Sequence, residues 1–271
     1  MKELRNNKLN HFREMTIFEQ EKIERIRANS VDESLAEISN AFMTASTNPK
    51  YSYNFTWLSR PIIQYPQDIV AMQEIIWQVK PDLIIETGIA HGGSLIFSAS
   101  MLAMLDLAEA IESGKDTINP KLSKRKVLGI DIDIRAHNRV AIKAHPMLSR
   151  IQMIEGSSIA PDVVAEVHDV ASRFTRILVC LDSNHTHDHV LAELNSYAQL
   201  TSVGSYCVVF DTIIEELPDD MFPDRPWGKG NNPKTAVYQY LKTHPEFEID
   251  QTVQNKLLIT VAPDGYMRRI S

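Results

Sequence analysis

Apolar positions along this chain fall into two rhythms that divide it near residue 65. Over residues 1–65 they recur every three to five positions, as at Phe18, Ile23, Ile26 and then Leu35, Ile38, Phe42, which predicts helices. The end of this segment is an aromatic, proline-bearing stretch, Tyr51 to Pro61, that suits either a strap packed on the core or the wall of a substrate pocket. From residue 66 to 271 short continuous apolar runs alternate with amphipathic segments: a helix over Pro66 to Val79, then runs at Leu83-Ile84-Ile85, Val127–Asp131, Ile151–Glu155, Ile177–Asp182 and Tyr206–Asp211. Such alternation predicts an α/β fold with a parallel sheet and crossover helices. Two last runs, Phe247–Asp250 and Leu257–Val261, joined by a short turn at Asn255-Lys256, predict an antiparallel pair that closes the sheet. The whole is expected to be a Rossmann-like α/β sheet, parallel with an antiparallel last strand and preceded by an N-terminal helical segment, an architecture shared by many class I methyltransferases.

Chemistry concentrates where those runs end. After Leu83-Ile84-Ile85 comes Glu86-Thr87-Gly88-Ile89-Ala90-His91-Gly92-Gly93-Ser94, an acid and a glycine-rich turn that lead into a helix. That geometry brings backbone N–H groups and a helix N-terminus close to a ligand. Dinucleotide binders use G-x-G-x-x-G to cradle a pyrophosphate, whereas this turn reads E-x-G-x-A-x-G and suits S-adenosylmethionine (SAM), whose amino group the acid would meet. Glycine also serves any tight strand-to-helix turn. At the next tip, Asp131 is expected on the ribose hydroxyls with Asp133 near it, although Asp131 could instead cap the turn that follows. Gly156-Ser157-Ser158 could approach the adenine, or be an ordinary turn.

A second cluster reads Leu181-Asp182-Ser183-Asn184-His185-Thr186-His187-Asp188-His189. It is one residue short of the H-x-H-x-D-H spacing of metal hydrolases, so a histidine-rich zinc site is not expected, and His187 and His189 are placed on exposed first turns of a helix. Asp182 and Asp211, at two strand tips facing one crevice, would repel unless a hard cation lay between them, and Mg2+ suits such oxygen ligands. The other reading has one of the two aspartates bonded to backbone at its strand end. A divalent ion there would lower the pKa of an attacking hydroxyl, and His185 would take its proton.

The blocks Ile84–Ser94, Leu181–Val190 and Arg225-Pro226-Trp227-Gly228-Lys229-Gly230-Asn231-Asn232-Pro233, in that order, resemble the cephalosporin hydroxylase and rhamnosyl O-methyltransferase family over residues 55–262. The resemblance implies a SAM-dependent O-methyltransferase, with Asp182 as a metal ligand, His185 as the general base, and Glu86, Gly88, Ser94 and Asp131 around the cofactor. With the strand-tip and turn readings, the expected cofactor set also takes in Thr87, Ala90, Gly92, Asp133, Ser157, Ser158 and Asp182. Relatives tend to carry two acids at the end of the fifth strand, whereas here Phe210 precedes Asp211. The Arg225–Pro233 segment resembles a mobile lid that closes over the substrate, the other reading being a rigid surface loop. An oxygen-dependent hydroxylase and a non-catalytic SAM-binding module are the competing readings; the former wants two histidines and a carboxylate at one open site.

Composition alters little. The chain has 271 residues, 44% hydrophobic, with net charge −7, and no basic run exceeds Lys124-Arg125-Lys126. A nucleic-acid partner is therefore not expected. Cys180 and Cys207 lie in apolar runs and read as reduced core residues of a cytoplasmic protein. No apolar stretch is expected to span a membrane. The expected partner is a small-molecule or glycan acceptor, and the helical N-terminus is expected to serve as a subunit contact in a homo-oligomer.

Overall fold

A computed structural model describes residues 2–271, with side chains described from Thr16 onward apart from Pro120. Two helices, α1 (Lys2–Asn29) and α2 (Glu33–Thr47), open the chain. Asp32 caps α2 by accepting from Leu35 N–H. The expected helices are present, but their apolar positions divide: Ile26 is buried, whereas Phe18, Ile23 and Ile38 remain more than half exposed. Next comes a small hairpin, β1 (Phe55–Trp57) and β2 (Arg60–Ile62), built from the aromatic stretch. Its Trp57 packs edge-on to Phe97 and donates to Ser100 Oγ at 2.9 Å, so the stretch straps the core.

The remaining chain runs α3 (Pro66–Val79), β3 (Leu83–Thr87), α4 (Gly93–Glu112), β4 (Lys126–Asp131), α5 (Ala136–Lys143), β5 (Ile151–Glu155), α6 (Pro161–Ala171), β6 (Ile177–Leu181), α7 (His187–Tyr197), β7 (Tyr206–Val209), α8 (Pro233–Leu241), β8 (Phe247–Ile249), α9 (Gln251–Leu257) and β9 (Tyr266–Arg269). The sheet order is β5-β4-β3-β6-β7-β9-β8, parallel except for β9, which runs antiparallel to both β7 and β8. The reversal of strand order on either side of β3 leaves a crevice above the carboxyl ends of β3 and β6, where open α/β sheets bind ligands.

The core lies on both faces of this sheet because successive strand residues point to opposite sides. In β3, Ile84 joins the cluster formed with α3 and α4, while Leu83 and Ile85 join the one formed with α6, α7 and α8. All three are fully buried, and each contributes about 1.5–3 kcal/mol relative to exposure. α4 departs from the sequence expectation about membranes: its 20 residues, with hydropathy 1.6, are long and apolar enough to cross a bilayer. Half of that window is buried, with Leu95, Ala99 and Leu102 in the core cluster that includes Ile84 of β3, as in the core helix of an α/β fold.

The closing pair is also corrected. β8 is as expected, but Asn255 and Lys256 lie in α9, not in a turn, and β8 pairs with Tyr266–Arg269 rather than with Leu257–Val261. Two contacts, one local and one distant in sequence, account for this. Asp250 caps α9 by accepting from Thr252 N–H, and buried Asp68 on α3 accepts from Val261 N–H at 3.0 Å and from the hydroxyls of Thr260 and Tyr266. Those bonds take a strand-like apolar run out of the ladder.

Candidate active site

The turn after β3 is shaped by what lies beside it. At Gly88 (φ 89°) an added Cβ would sit 1.9 Å from the carbonyl oxygen of Asp182, so the tips of β3 and β6 approach as only glycine permits. The helix behind it starts equally close to the strap, since a Cβ at Gly93 would lie 2.1 Å from Pro61 O. Asp131 fixes the turn from the β4 side. Its Oδ2 accepts from Ile89 N–H (2.8 Å) and Ala90 N–H (3.1 Å), and its Oδ1 from Asp133 N–H (3.0 Å). Asn138 donates to Ala90 O at 2.9 Å, and Arg60 donates to His91 O. Asn138 and Arg60 carry no motif; only the folded contact shows that they hold the turn.

The turn opens into a cavity of about 480 Å3. Gly88, Ala90, Ser94, Asp182, His185 and Asp211 all line it, so one space joins the glycine turn to the second acidic cluster. The strap contributes Ser52, Tyr53 and Pro61, and the opposite wall is Ile213, Ile214, Leu217, Met221, Phe222 and Trp227. The strap is thus both core packing and pocket wall. Of that wall, sequence reasoning found Trp227, in the expected lid, but missed Ile213 to Phe222, because that short 3-10 turn and loop have no periodicity.

Other expected site residues stand apart from this space. Glu86 is buried beneath the turn and held by Ser94 Oγ, where it lines a smaller adjoining cavity with Gln64 and Asp68. Burial pushes its carboxyl up to about 7, partly offset by the Ser94 bond. Thr87 is fully buried, and its hydroxyl accepts from Asp182 N–H at 3.3 Å. Gly92, Asp131, Asp133 and Ser157 are not among the cavity's lining residues. Ser158 is buried and bonded to His189 Nε2 at 3.0 Å.

His187 and His189 depart from their expected exposed positions. His187 begins α7 and bonds Thr235 and Gln239 on α8 through its two ring nitrogens, at 2.7 and 2.9 Å. His189 lies 3.6 Å from buried Glu193. Both are half-buried because α7 packs between its neighbours instead of standing free.

At the cavity floor Asp182, His185 and Asp211 each offer one donor atom, all within 4.8 Å of one another. His185 Nε2 is 3.3 Å from Asp211 Oδ2. Asp211 adopts φ 56°, a left-handed conformation that costs a non-glycine residue about 1–2 kcal/mol and that tends to persist at functional sites. Burial, followed by the charges of Asp211, Glu86, Glu193 and Asp68, holds the Asp182 carboxyl well above the usual carboxylate range. Gln64 Nε2 reaches Asp182 Oδ2 at 3.4 Å; among the described residues no lysine or arginine forms an ion pair with Asp182. Phe210 is buried in the core beneath α3, so no second carboxylate stands at the β7 tip. Trp227 meets His185 edge-on at 4.9 Å, and the segment that carries it is tied down by Asn231 to Pro226 O and by Asn232 to Gly228 O.

A seven-stranded sheet with its last strand inserted antiparallel, and a glycine turn above its switch point, defines a class I methyltransferase. Solved structures bear out that fold. The chain superposes on CmcI with Mg and SAM at a TM-score of 0.53, with 16% identity over 81% of this chain and 78% of the other. It matches CmcI with adenosylhomocysteine at 0.51, with 17% identity over 80% and 83%. Sequence relatives are the rhamnosyl O-methyltransferases of Mycobacterium tuberculosis, 28% identical over 204 residues (74% of this chain, 73% of the relative), and of Mycobacterium leprae, 27% identical over 216 residues (79% and 82%). Residues 49–270 match the model of the Rhamnosyl O-methyltransferase/CmcI family. The chain belongs to that family, and it is a SAM-dependent O-methyltransferase.

Proposed function

We propose that the enzyme transfers a methyl group from SAM to a hydroxyl of a sugar or glycosylated metabolite, with a divalent ion of the Mg2+ type at Asp182 and Asp211. The observation that carries this reading is the single cavity lined both by the glycine turn and by Asp182, His185 and Asp211. When bound, SAM supplies an electrophilic methyl, and the ion lowers the pKa of the acceptor hydroxyl.

The chain's own groups fit both. Gly88, Ala90 and Ser94 line the cavity, where the turn would face the cofactor's methionine end, and Gly92 packs the turn against Ile142. Asp131 would take one ribose hydroxyl rather than two: a carboxylate offers about four acceptor positions, and three backbone N–H groups already occupy it. Glu86 acts from beneath, by holding Ser94. Two carboxylates, Asp182 and Asp211, facing one space with no lysine or arginine paired to either among the described residues fit a cation, because opposite charge would relieve the burial that disfavours the ionised form of Asp182. The cluster of Asp182, His185 and Asp211 receives the acceptor's hydroxyl and draws off its proton. The strap and the Ile213–Trp227 wall exclude water and align the hydroxyl, and alignment alone is worth several kcal/mol. A sugar acceptor is supported by the names of the curated relatives.

The test is to incubate the enzyme with SAM, Mg2+ and a panel of rhamnosides and other glycosides, following adenosylhomocysteine and a methylated product together by mass spectrometry. Both are expected from at least one glycoside. Methylation confined to non-sugar hydroxyls in a wider panel would remove the sugar assignment, and failure to bind adenosylhomocysteine would remove the reading altogether.

A further inference from the structure

Resting on that reading, we infer that His185 is a ligand of the active-site ion, filling the place that Phe210 leaves empty of oxygen, and that the site prefers a first-row transition ion such as Mn2+ to Mg2+. Three observations converge. The donor atoms of Asp182, His185 and Asp211 lie within 4.8 Å of one another, and His185 Nε2 is 3.3 Å from Asp211 Oδ2. Ligand atoms about 2.1 Å from a common ion stand roughly 3–4 Å apart, so the three need only a slight contraction to share one.

Phe210, one residue before Asp211, is packed into the sheet's core and supplies no donor. Beneath the cluster lies Gln64, also buried, whose amide nitrogen reaches Asp182 while its Oε1 has no hydrogen-bond partner. Gln64 lines the same cavity as the three donors, and a water held there by an ion would satisfy the orphaned oxygen, because buried polar atoms are rarely left unpaired.

The donor set decides which ion. Mg2+ is hard and demands oxygen in near-octahedral array, whereas imidazole suits transition ions. One nitrogen with two carboxylates therefore moves preference from Mg2+ toward Mn2+ and its heavier neighbours. Trp227 packs edge-on against the ring at 4.9 Å. A nitrogen bound to an ion cannot also accept the acceptor's proton, so His185 would act through the ion and Nε2 would be unavailable as a base.

The experiment loads the full-length enzyme, saturated with adenosylhomocysteine, with Mn2+ and with Mg2+. Calorimetry gives both affinities, and pulsed electron paramagnetic resonance of the Mn2+ form reads nitrogen coupling. Tighter binding of Mn2+ is expected, with an imidazole nitrogen coupling that disappears in His185→Ala and a Mn2+ affinity at least about tenfold weaker in that variant. Phe210→Glu, if it folds, is expected to narrow the gap between the two ions. Absence of nitrogen coupling in the Mn2+-loaded wild type, together with unchanged Mn2+ affinity in His185→Ala, would overturn the proposal and return His185 to the role of a free base. Adenosylhomocysteine binding, measured first in the same samples, separates this failure from failure of the methyltransferase reading.

Discussion

Gly88→Ala probes the joint between the cofactor turn and the metal cluster. The new Cβ would lie 1.9 Å from Asp182 O and 2.6 Å from its carbonyl carbon, and both are backbone atoms that cannot rotate aside. At φ 89° the alanine also enters left-handed space, which costs about 1–2 kcal/mol. Forcing the two strand tips apart adds about 1–3 kcal/mol, the usual range for overpacking. The sum, roughly 2–5 kcal/mol, lowers Tm by about 4–20 °C for a chain near this size. Gly204→Ala is the matched control: φ there is 81°, and an added Cβ meets nothing within 4 Å, so only the backbone cost of about 1–2 kcal/mol remains. Scanning fluorimetry reads stability, and calorimetry with adenosylhomocysteine reads the site. Gly88→Ala should lose stability beyond the control and lose cofactor affinity, whereas Gly204→Ala should bind normally. Equal Tm shifts with intact affinity in both variants would refute the close approach of Gly88 to Asp182.

Further expectations follow from the same contacts. Glu86 has its carboxyl raised from 4.5 to about 7, so the folded apoenzyme holds a proton that the unfolded chain has released. Stability is fullest below about 4.5 and falls as pH rises through about 7, by on the order of 3 kcal/mol, and Glu86→Gln should flatten that part of the Tm–pH profile; an unchanged slope would mean that Glu86 is not desolvated. Asp131→Ala should weaken adenosylhomocysteine binding through loss of two turn contacts, and comparison with a 2′,3′-dideoxy analogue shows whether a ribose bond is lost as well. If wild type and variant discriminate equally between the two ligands, Asp131 holds only the turn. Trp227→Ala should raise the acceptor's KM with adenosylhomocysteine affinity intact, since the ring faces His185 on the acceptor side; a loss confined to cofactor binding would misplace that wall.

Periodicity located the five parallel strands because each reads as an apolar run with an acid near its tip, even β5, which lies at the sheet's edge and leaves Gln152 exposed. It failed at Leu257–Val261 for a reason absent from any local window: Asp68, 193 residues before Val261, captures that backbone and so prevents a ladder. The candidate site divides in the same way. Gly88, Asp182 and Asp211 were legible because topology alone brings strand ends together. That Glu86 sits beneath the turn depends on Ser94 reaching back to it, and the half-buried state of His187 and His189 depends on α8 and on Ser158, which are tertiary contacts. The Phe210 departure was visible in sequence, but only the fold shows the His185 nitrogen beside Asp211.

The central claim is that the glycine turn and the Asp182, His185 and Asp211 cluster form one methyl-transfer site. Crystals grown with adenosylhomocysteine and Mn2+, measured at the manganese absorption edge, test it most directly. The account predicts adenosylhomocysteine over Gly88–Ser94 and a single anomalous peak bounded by Asp182, His185 and Asp211. Adenosylhomocysteine bound elsewhere, or a manganese peak remote from those three side chains, would contradict it.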